Sequence, residues 1–264
     1  MKNIQEIKKK KQLEFAKKYY KKDYNELSQA ESYHISSIAE VWSYIESVIP
    51  EGFEKFTIFD FKGSCKDIKL KREIALKAKD VICQYCWGET WGKIDQKFST
   101  KLQKKEFLRD GSVMMERLRG GNNVVVFGKS TVPIGRTICA SIIMKQAIKL
   151  RMLPGQIGQT YDWIDFSILK ESLRKDTDSS VDCRTCDWLV VDNITTTSFA
   201  SNAQRAFITD LITPFFIGRL NNKLSTILVF RFDIRNKSIN LEEDMGVGIS
   251  KIINSDRTFI IPLN

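Results

Sequence analysis

Val124-Val125-Val126-Phe127-Gly128-Lys129-Ser130-Thr131-Val132-Pro133-Ile134-Gly135-Arg136-Thr137 is the stretch on which the fold turns. Its first four residues are apolar and three are β-branched, the composition of a strand buried on both faces of a parallel sheet. An apolar run of helix length follows, from Thr137 to Met152. Strand, loop and helix in that order form the setting in which backbone N–H groups and a helix N-terminus face a phosphate. Set against G-x-x-x-x-G-K-[ST], Gly135 and Thr137 match, Ser130 stands at the first glycine and Arg136 replaces the lysine. Ser130, Thr131, Val132, Pro133, Ile134, Gly135, Arg136 and Thr137 are thus the candidate phosphate-binding loop. Taken alone, the half-match also describes an ordinary strand-to-helix turn.

A second element changes the balance. The run Trp188-Leu189-Val190-Val191 ends in Asp192, where such folds place the acid that holds Mg²⁺ through water. Thr137 and Asp192 are therefore the expected Mg²⁺ pair. The next residue, where a glutamate would polarise the attacking water, is Asn193, whose amide is no base. Around these lie a strand near Tyr161, a helix from Ser167 to Arg174, a helix from Ala203 to Leu220 with Pro214 as a point of interruption, and the run Thr226 to Phe230. Strands alternating with helix-length segments predict an α/β domain over residues 122–264: a parallel sheet of about five strands with helices on both faces. Val124–Phe127 and Val190–Asp192 are expected to be adjacent parallel strands, with the 130–137 loop at the sheet's C-terminal edge.

The N-terminal part reads differently. Residues 1–48 form a basic helical module. Leu13, Ala16, Tyr20, Tyr24 and Leu27 fall on one helical face, and Lys17, Lys18, Lys21 and Lys22 lie away from it. Such a helix grips nucleic acid or a partner protein, or carries a solvated lysine face. A second helix is expected from the Ser37/Glu40 capping box, with Ile38, Val41, Trp42, Ile45, Val48 and Ile49 on one stripe and Pro50 and Gly52 at its end. Residues 49–121 read as a linker and helical lead-in, with a helix from Ile74 to Tyr85.

The formal charge is +10, of which +7 falls in residues 1–120, a bias that suits a polyanionic partner. Lys93, Lys97, Lys101, Lys104 and Lys105, set among Trp87, Trp91 and Phe98, have the makeup of a surface for single-stranded DNA. The competing account packs those aromatics under the sheet edge beside solvated lysines. Six cysteines are too sparse for a disulfide-stapled domain and read as reduced thiols in a cytosol. Cys83-x-x-Cys86 and Cys183-x-x-Cys186, with Cys65 or His34 as substitutes, form a zinc set on paper, but buried thiols fit their spacing better. No apolar stretch is long enough to cross a bilayer, so a cytoplasmic protein with no membrane partner is expected.

With these residues in place, the chain over roughly residues 49–264 resembles the DnaC/IstB family of AAA+ helicase loaders and transposition helpers. The likeness rests on Ile49-Pro50, Phe53, Phe56 and Asp60-Phe61, then the loop strand, then Arg219 ahead of Thr226 to Arg231, then Ser250-Lys251 and the strand Phe259 to Leu263. The resemblance implies a P-loop fold of AAA+ ASCE type without a C-terminal lid. It implies a DNA-replication accessory role, with a replicative DNA helicase, single-stranded DNA and other copies of the chain as partners. ATP or ADP with Mg²⁺ is the implied cofactor, bound weakly or not at all. Four positions depart from the pattern: Arg136 for the loop lysine, Asn193 for the acid, Arg231 for the sensor asparagine and Lys251 for the arginine finger. Guanidinium and ammonium groups do not exchange well at such sites. Little hydrolysis is expected, with turnover raised by Asn193→Glu if the geometry is otherwise intact. Two alternatives stand beside this: a slow ATPase in which Arg136 and a displaced acid, Asp187 or Asp210, take over, and a nucleotide-free scaffold, in the host cytoplasm if the chain is virus-encoded.

Overall fold

A computed structural model describes residues 3–61, 68–109, 120–128, 135–150, 158–175, 178–195, 206, 208–236 and 238–263. Five strands, β1 (Asn123–Phe127), β2 (Tyr161–Asp165), β3 (Trp188–Ile194), β4 (Ser225–Phe230) and β5 (Thr258–Pro262), form one sheet. All neighbours are parallel, in the order β2-β3-β4-β1-β5. The expected adjacency of Val124–Phe127 and Val190–Asp192 does not hold. β4 stands between them: Val125 pairs with Leu228, which pairs on its other side with Val191. Apolar composition tells that a strand is buried but not beside which neighbour, and β4 is as fully buried as β1.

Alternation along each strand sorts the side chains into two cores. Val124, Val126, Val190, Ile227 and Val229 join one cluster, whereas Val125, Leu189, Val191, Leu228 and Phe230 join the other. The first face is covered by α3 (Ile68–Trp87) and α6 (Arg136–Leu150), the second by α7 (Phe166–Lys175), α9 (Thr213–Asn221) and α11 (Val247–Ile253). Between them in sequence come α4 (Trp91–Lys97), α5 (Lys101–Phe107), α8 (Asp178–Thr185) and α10 (Leu241–Met245). α6 is buried nearly all round, polar residues such as Ser141, Lys145 and Gln146 included, because a second layer lies over it. That layer includes α2 (Gln29–Val48) and residues 53–61, whose Glu54 carbonyl accepts a hydrogen bond from Lys145 Nζ at 3.0 Å.

The N-terminal hairpin departs from the sequence reading in two ways. Helix α1 (Ile4–Phe15) runs into a π-turn at Ala16–Tyr20 and stops at Lys21, whose φ is +58°, so Tyr24 and Leu27 lie beyond it. α2 starts at Gln29 rather than after Ser37, because Ser28 and Glu31 make the capping box: Glu31 N–H donates to Ser28 Oγ and Ser28 N–H to Glu31 Oε2. Ser37 is in mid-helix, its hydroxyl donating to the Tyr33 carbonyl. The end at Ile49 and Pro50 is as expected.

Arg219, 1% exposed, ties the N-terminal edge of the sheet together. Its guanidinium donates to the carbonyls of Cys183 (2.7 Å), Cys186 (2.9 Å) and Ser225 (2.7 Å) and to Thr226 Oγ1 (3.0 Å). Neither an apolar side chain nor a lysine can replace four donations in one plane. Arg219→Met, which leaves three buried carbonyls without this donor, is expected to lower stability by about 3 kcal/mol, measured as the shift in urea midpoint; a loss below about 1 kcal/mol would show that those carbonyls find other partners.

Candidate functional site

β1 delivers the chain to the C-terminal edge of the sheet, where Gly128 N–H donates to the Phe232 carbonyl at 3.3 Å. The loop residues Ser130, Thr131, Val132, Pro133 and Ile134 lie outside the described residues. The chain continues at Gly135, which has φ +76° and would place a Cβ 2.8 Å from Phe61 Cε2. Conformation and space both require glycine there. Arg136 and Thr137 are then the first two residues of α6.

Thr137, in the first turn of α6, and Asp192, on β3, meet although β1, which leads to α6, lies two places from β3. Thr137 Oγ1 donates to Asp192 Oδ2 at 3.0 Å. Arg231, just past β4, lies over the pair: its Nη2 is 3.5 Å from Thr137 Oγ1 and 3.8 Å from Asp192 Oδ1. Its Nε donates to Asn193 Oδ1 at 2.6 Å, and Asn193 Nδ2 donates to Asp165 Oδ2 at 2.5 Å. Asp165 ends β2 in register with Asp192 and also accepts from the Ser167 N–H and hydroxyl. Burial works to raise the Asp165 carboxyl, but the bonds from Ser167 and Asn193 outweigh it and hold the group below its ordinary value. At Asp192 burial prevails over the bond from its neighbour's N–H and over Arg231, and its affinity for a proton rises. Asn193 has φ +64° where the register of β3 on β4 shifts, a backbone state asparagine tolerates better than most residues.

Arg136 turns back into the protein. It is 3% exposed, and its Nη1 donates to the Gly128 carbonyl at 2.8 Å. Burial, with Arg231 nearby, pulls it down to about 10 against the pull of Asp192. Two guanidiniums and two carboxylates thus balance one another at this edge. The resemblance implies Mg²⁺ on Thr137 and Asp192, and the residues present do not fit it. A dication held by Thr137 directly and by Asp192 through water would stand where the Arg231 guanidinium now lies against both oxygens, and two positive groups do not share that place.

The other candidate residues lie elsewhere. Asp187 is at the opposite end of β3 from Asp192 and accepts from the Thr160 N–H and hydroxyl, so it is not placed to act at this edge. Asp210 is exposed in the π-turn Ile208–Ile212, and Lys251 is exposed on α11. Cys83 and Cys86 sit in the core on one side of the sheet, Cys183 and Cys186 in that on the other, so the two pairs cannot share an ion. Cys65 is outside the described residues, and His34 shares a hydrogen bond with Tyr20 at 3.0 Å. Among the described residues no helix is long and apolar enough to cross a membrane.

The structure sorts the five lysines. Lys104 pairs with Asp95, Lys93 is 3.8 Å from Glu89, and Lys97 lies over the rings of Phe98 and Phe107. Lys101 and Lys105 open instead onto a cavity. Trp87 and Trp91 are each only 8% exposed, and Trp87 Nε1 donates to the Leu108 carbonyl at 3.0 Å, so these rings belong to the core. Asp165 is the site residue that sequence reasoning missed; its signal was a strand ending in an acid with a serine two residues on. No protein-family model matches this chain, and no characterised protein does.

Proposed function

We propose that this protein is a DNA-replication accessory factor of helicase-loader type whose 130–137 loop binds a nucleoside phosphate, ATP or ADP, weakly and without Mg²⁺, and hydrolyses it at background rates. The observation that carries the reading is the Thr137–Asp192–Arg231–Asn193–Asp165 chain of bonds. It keeps the architecture of a phosphate site, puts a fixed guanidinium where the resemblance has a dication, and holds an amide where it has a base. The order of the sheet supports the additional-strand division of P-loop folds, since β4 stands between the loop strand and the acid strand. The replicative helicase, single-stranded DNA and self-association enter through the resemblance, and the basic charge of residues 1–120 agrees with a polyanion as partner.

A nucleotide-free scaffold is favoured by one observation, the turn of Arg136 into the backbone ahead of the loop. Calorimetry separates the two. Under the proposed function ATP binds with the same affinity in EDTA as in Mg²⁺, and Arg231→Asn makes binding Mg²⁺-dependent by at least about tenfold, the change expected when one charge-assisted contact is exchanged. The absence of any heat with ATP or ADP would establish the scaffold instead. Hydrolysis is expected at background and stays there in Asn193→Glu, because the new carboxylate would face Asp165 from a left-handed backbone position that costs about 1–2 kcal/mol. Steady-state phosphate release that rises in that single variant and vanishes on Asp192→Ala would show that an acid at this position is enough.

The DNA part has its own test. If the basic N-terminal module grips phosphates, affinity for single-stranded DNA falls steeply between low and moderate salt, and deleting residues 1–30 lowers both the affinity and the slope. Anisotropy of a labelled oligonucleotide measures both; full affinity after the deletion would make those lysines a solvated face.

A further inference from the structure

A cavity of about 810 Å³ lies away from the phosphate loop, between α2, residues 56–60, α5 and α6. That volume is within the range of small-molecule sites. Its charges are unbalanced: Lys101, Lys105, Arg109, Lys145 and Lys149 line it against the carboxylate of Asp60. Asp60 is itself engaged by the N–H and hydroxyl of Thr57, at 3.0 and 2.5 Å. Lys145 is only 6% exposed; its burial, with Lys149 close by, pulls its ammonium down to about 8 against the attraction of Asp60 and Glu54. Lys145 is the buried cation of the set and the other four are exposed around it, so a bound anion would meet one desolvated ammonium and the joint field of five positive charges.

The remaining lining is aromatic and amide. Trp42, Phe56 and Phe59 are half-buried, with Lys101 Nζ 5.3 Å from the centre of the Phe59 ring. The Gln146 amide and the Ser37 hydroxyl stand among them. Flat rings for stacking, an amide to meet a polar edge and several cations make up a nucleotide's complement. We propose that this cavity is a second nucleotide site, taking one base with its phosphate, either as a free nucleotide or as an unpaired nucleotide of single-stranded DNA. Lys101 and Lys105 hold the phosphate at the mouth, and the aromatic side chains receive the base. The site is independent of the 130–137 loop and stands whether or not that loop binds a phosphate.

Trp42 and Trp87 line the cavity, so binding is read by tryptophan fluorescence of the full chain, with AMP as one probe. The other is a labelled ten-residue deoxyadenosine oligonucleotide, followed by anisotropy. Two variants attack the cavity differently: Lys101→Glu with Lys105→Glu reverses the charge at its mouth, and Ser37→Trp fills it from α2. Each should weaken binding on the order of tenfold or more, the cost of losing one charge-assisted contact. Saturable quenching by AMP that both variants weaken supports a site for the free nucleotide. If the oligonucleotide alone binds and both variants weaken it, the nucleotide is that of DNA. The proposal is overturned if neither probe binds, if both variants bind as the unmodified chain does, or if only Thr137→Ala abolishes binding, which would place the nucleotide in the loop.

Discussion

A parallel sheet that must be dry on both faces is the constraint from which most of this structure follows. Every second residue of β1, β3 and β4 goes to one core and the rest to the other, so neither face of these strands can carry a charge except at the ends. Helices have to cover both faces, and the chain between strands is of the length that supplies them. Polar chemistry is then confined to the two edges. At the N-terminal edge it takes the form of Arg219 and its carbonyls, a purely structural fastening. At the C-terminal edge it takes the form of Asp165, Asp192 and Arg231, each at or just past the end of a strand.

The replaced positions at that edge are physically coupled. The Asn193 amide accepts from Arg231 and donates to Asp165, a bridging role that a carboxylate could not fill. Arg231 in turn sets a positive charge 3.8 Å from Asp192, whose burial raises its affinity for a proton. An asparagine, two arginines, Arg136 and Arg231, and two aspartates therefore make one self-neutralising set. Exchanging any one of them leaves a charge or a donor without its complement beside the buried Asp192 carboxylate.

Strands β1, β3 and β4 were legible as apolar runs and β2 as a strand near Tyr161, as were the helices after β1 and β2, whereas β5 entered only through the resemblance. Their order was not, because local pattern measures burial and says nothing of neighbours. The pair Thr137 and Asp192 was found by its setting, one at the start of the helix after the loop and the other at the close of an apolar strand. Asp165 was missed because its role appears only when β2 and β3 lie in register. The start of α2 was misplaced for a different reason: Ser37/Glu40 and Ser28/Glu31 have the same spacing, and only the longer amphipathic run chooses between them. The aromatic rings near Lys93 to Lys105 could be read as platform or as core, and packing against Leu108 and Phe59 decided it for Trp87 and Trp91.

The N-terminal hairpin has a core of its own, and a very small one. Phe15, Ile35 and Ala39 form it, with Tyr20, Tyr24, Leu27, Ile38 and Trp42 at its margin, whereas α2 also reaches the main core through Ile45 and Ile49. Helix α1 therefore has far less apolar surface to lose than any strand of the sheet. Amide protons in α1 should exchange through a local opening that leaves the sheet closed, while those of β1 and β4 wait for the whole molecule to unfold. The lysine-rich first helix is in that sense a separate unit of stability, held to α2 by the Lys8–Glu40 and Lys11–Glu46 pairs and the small core, and the first part expected to open.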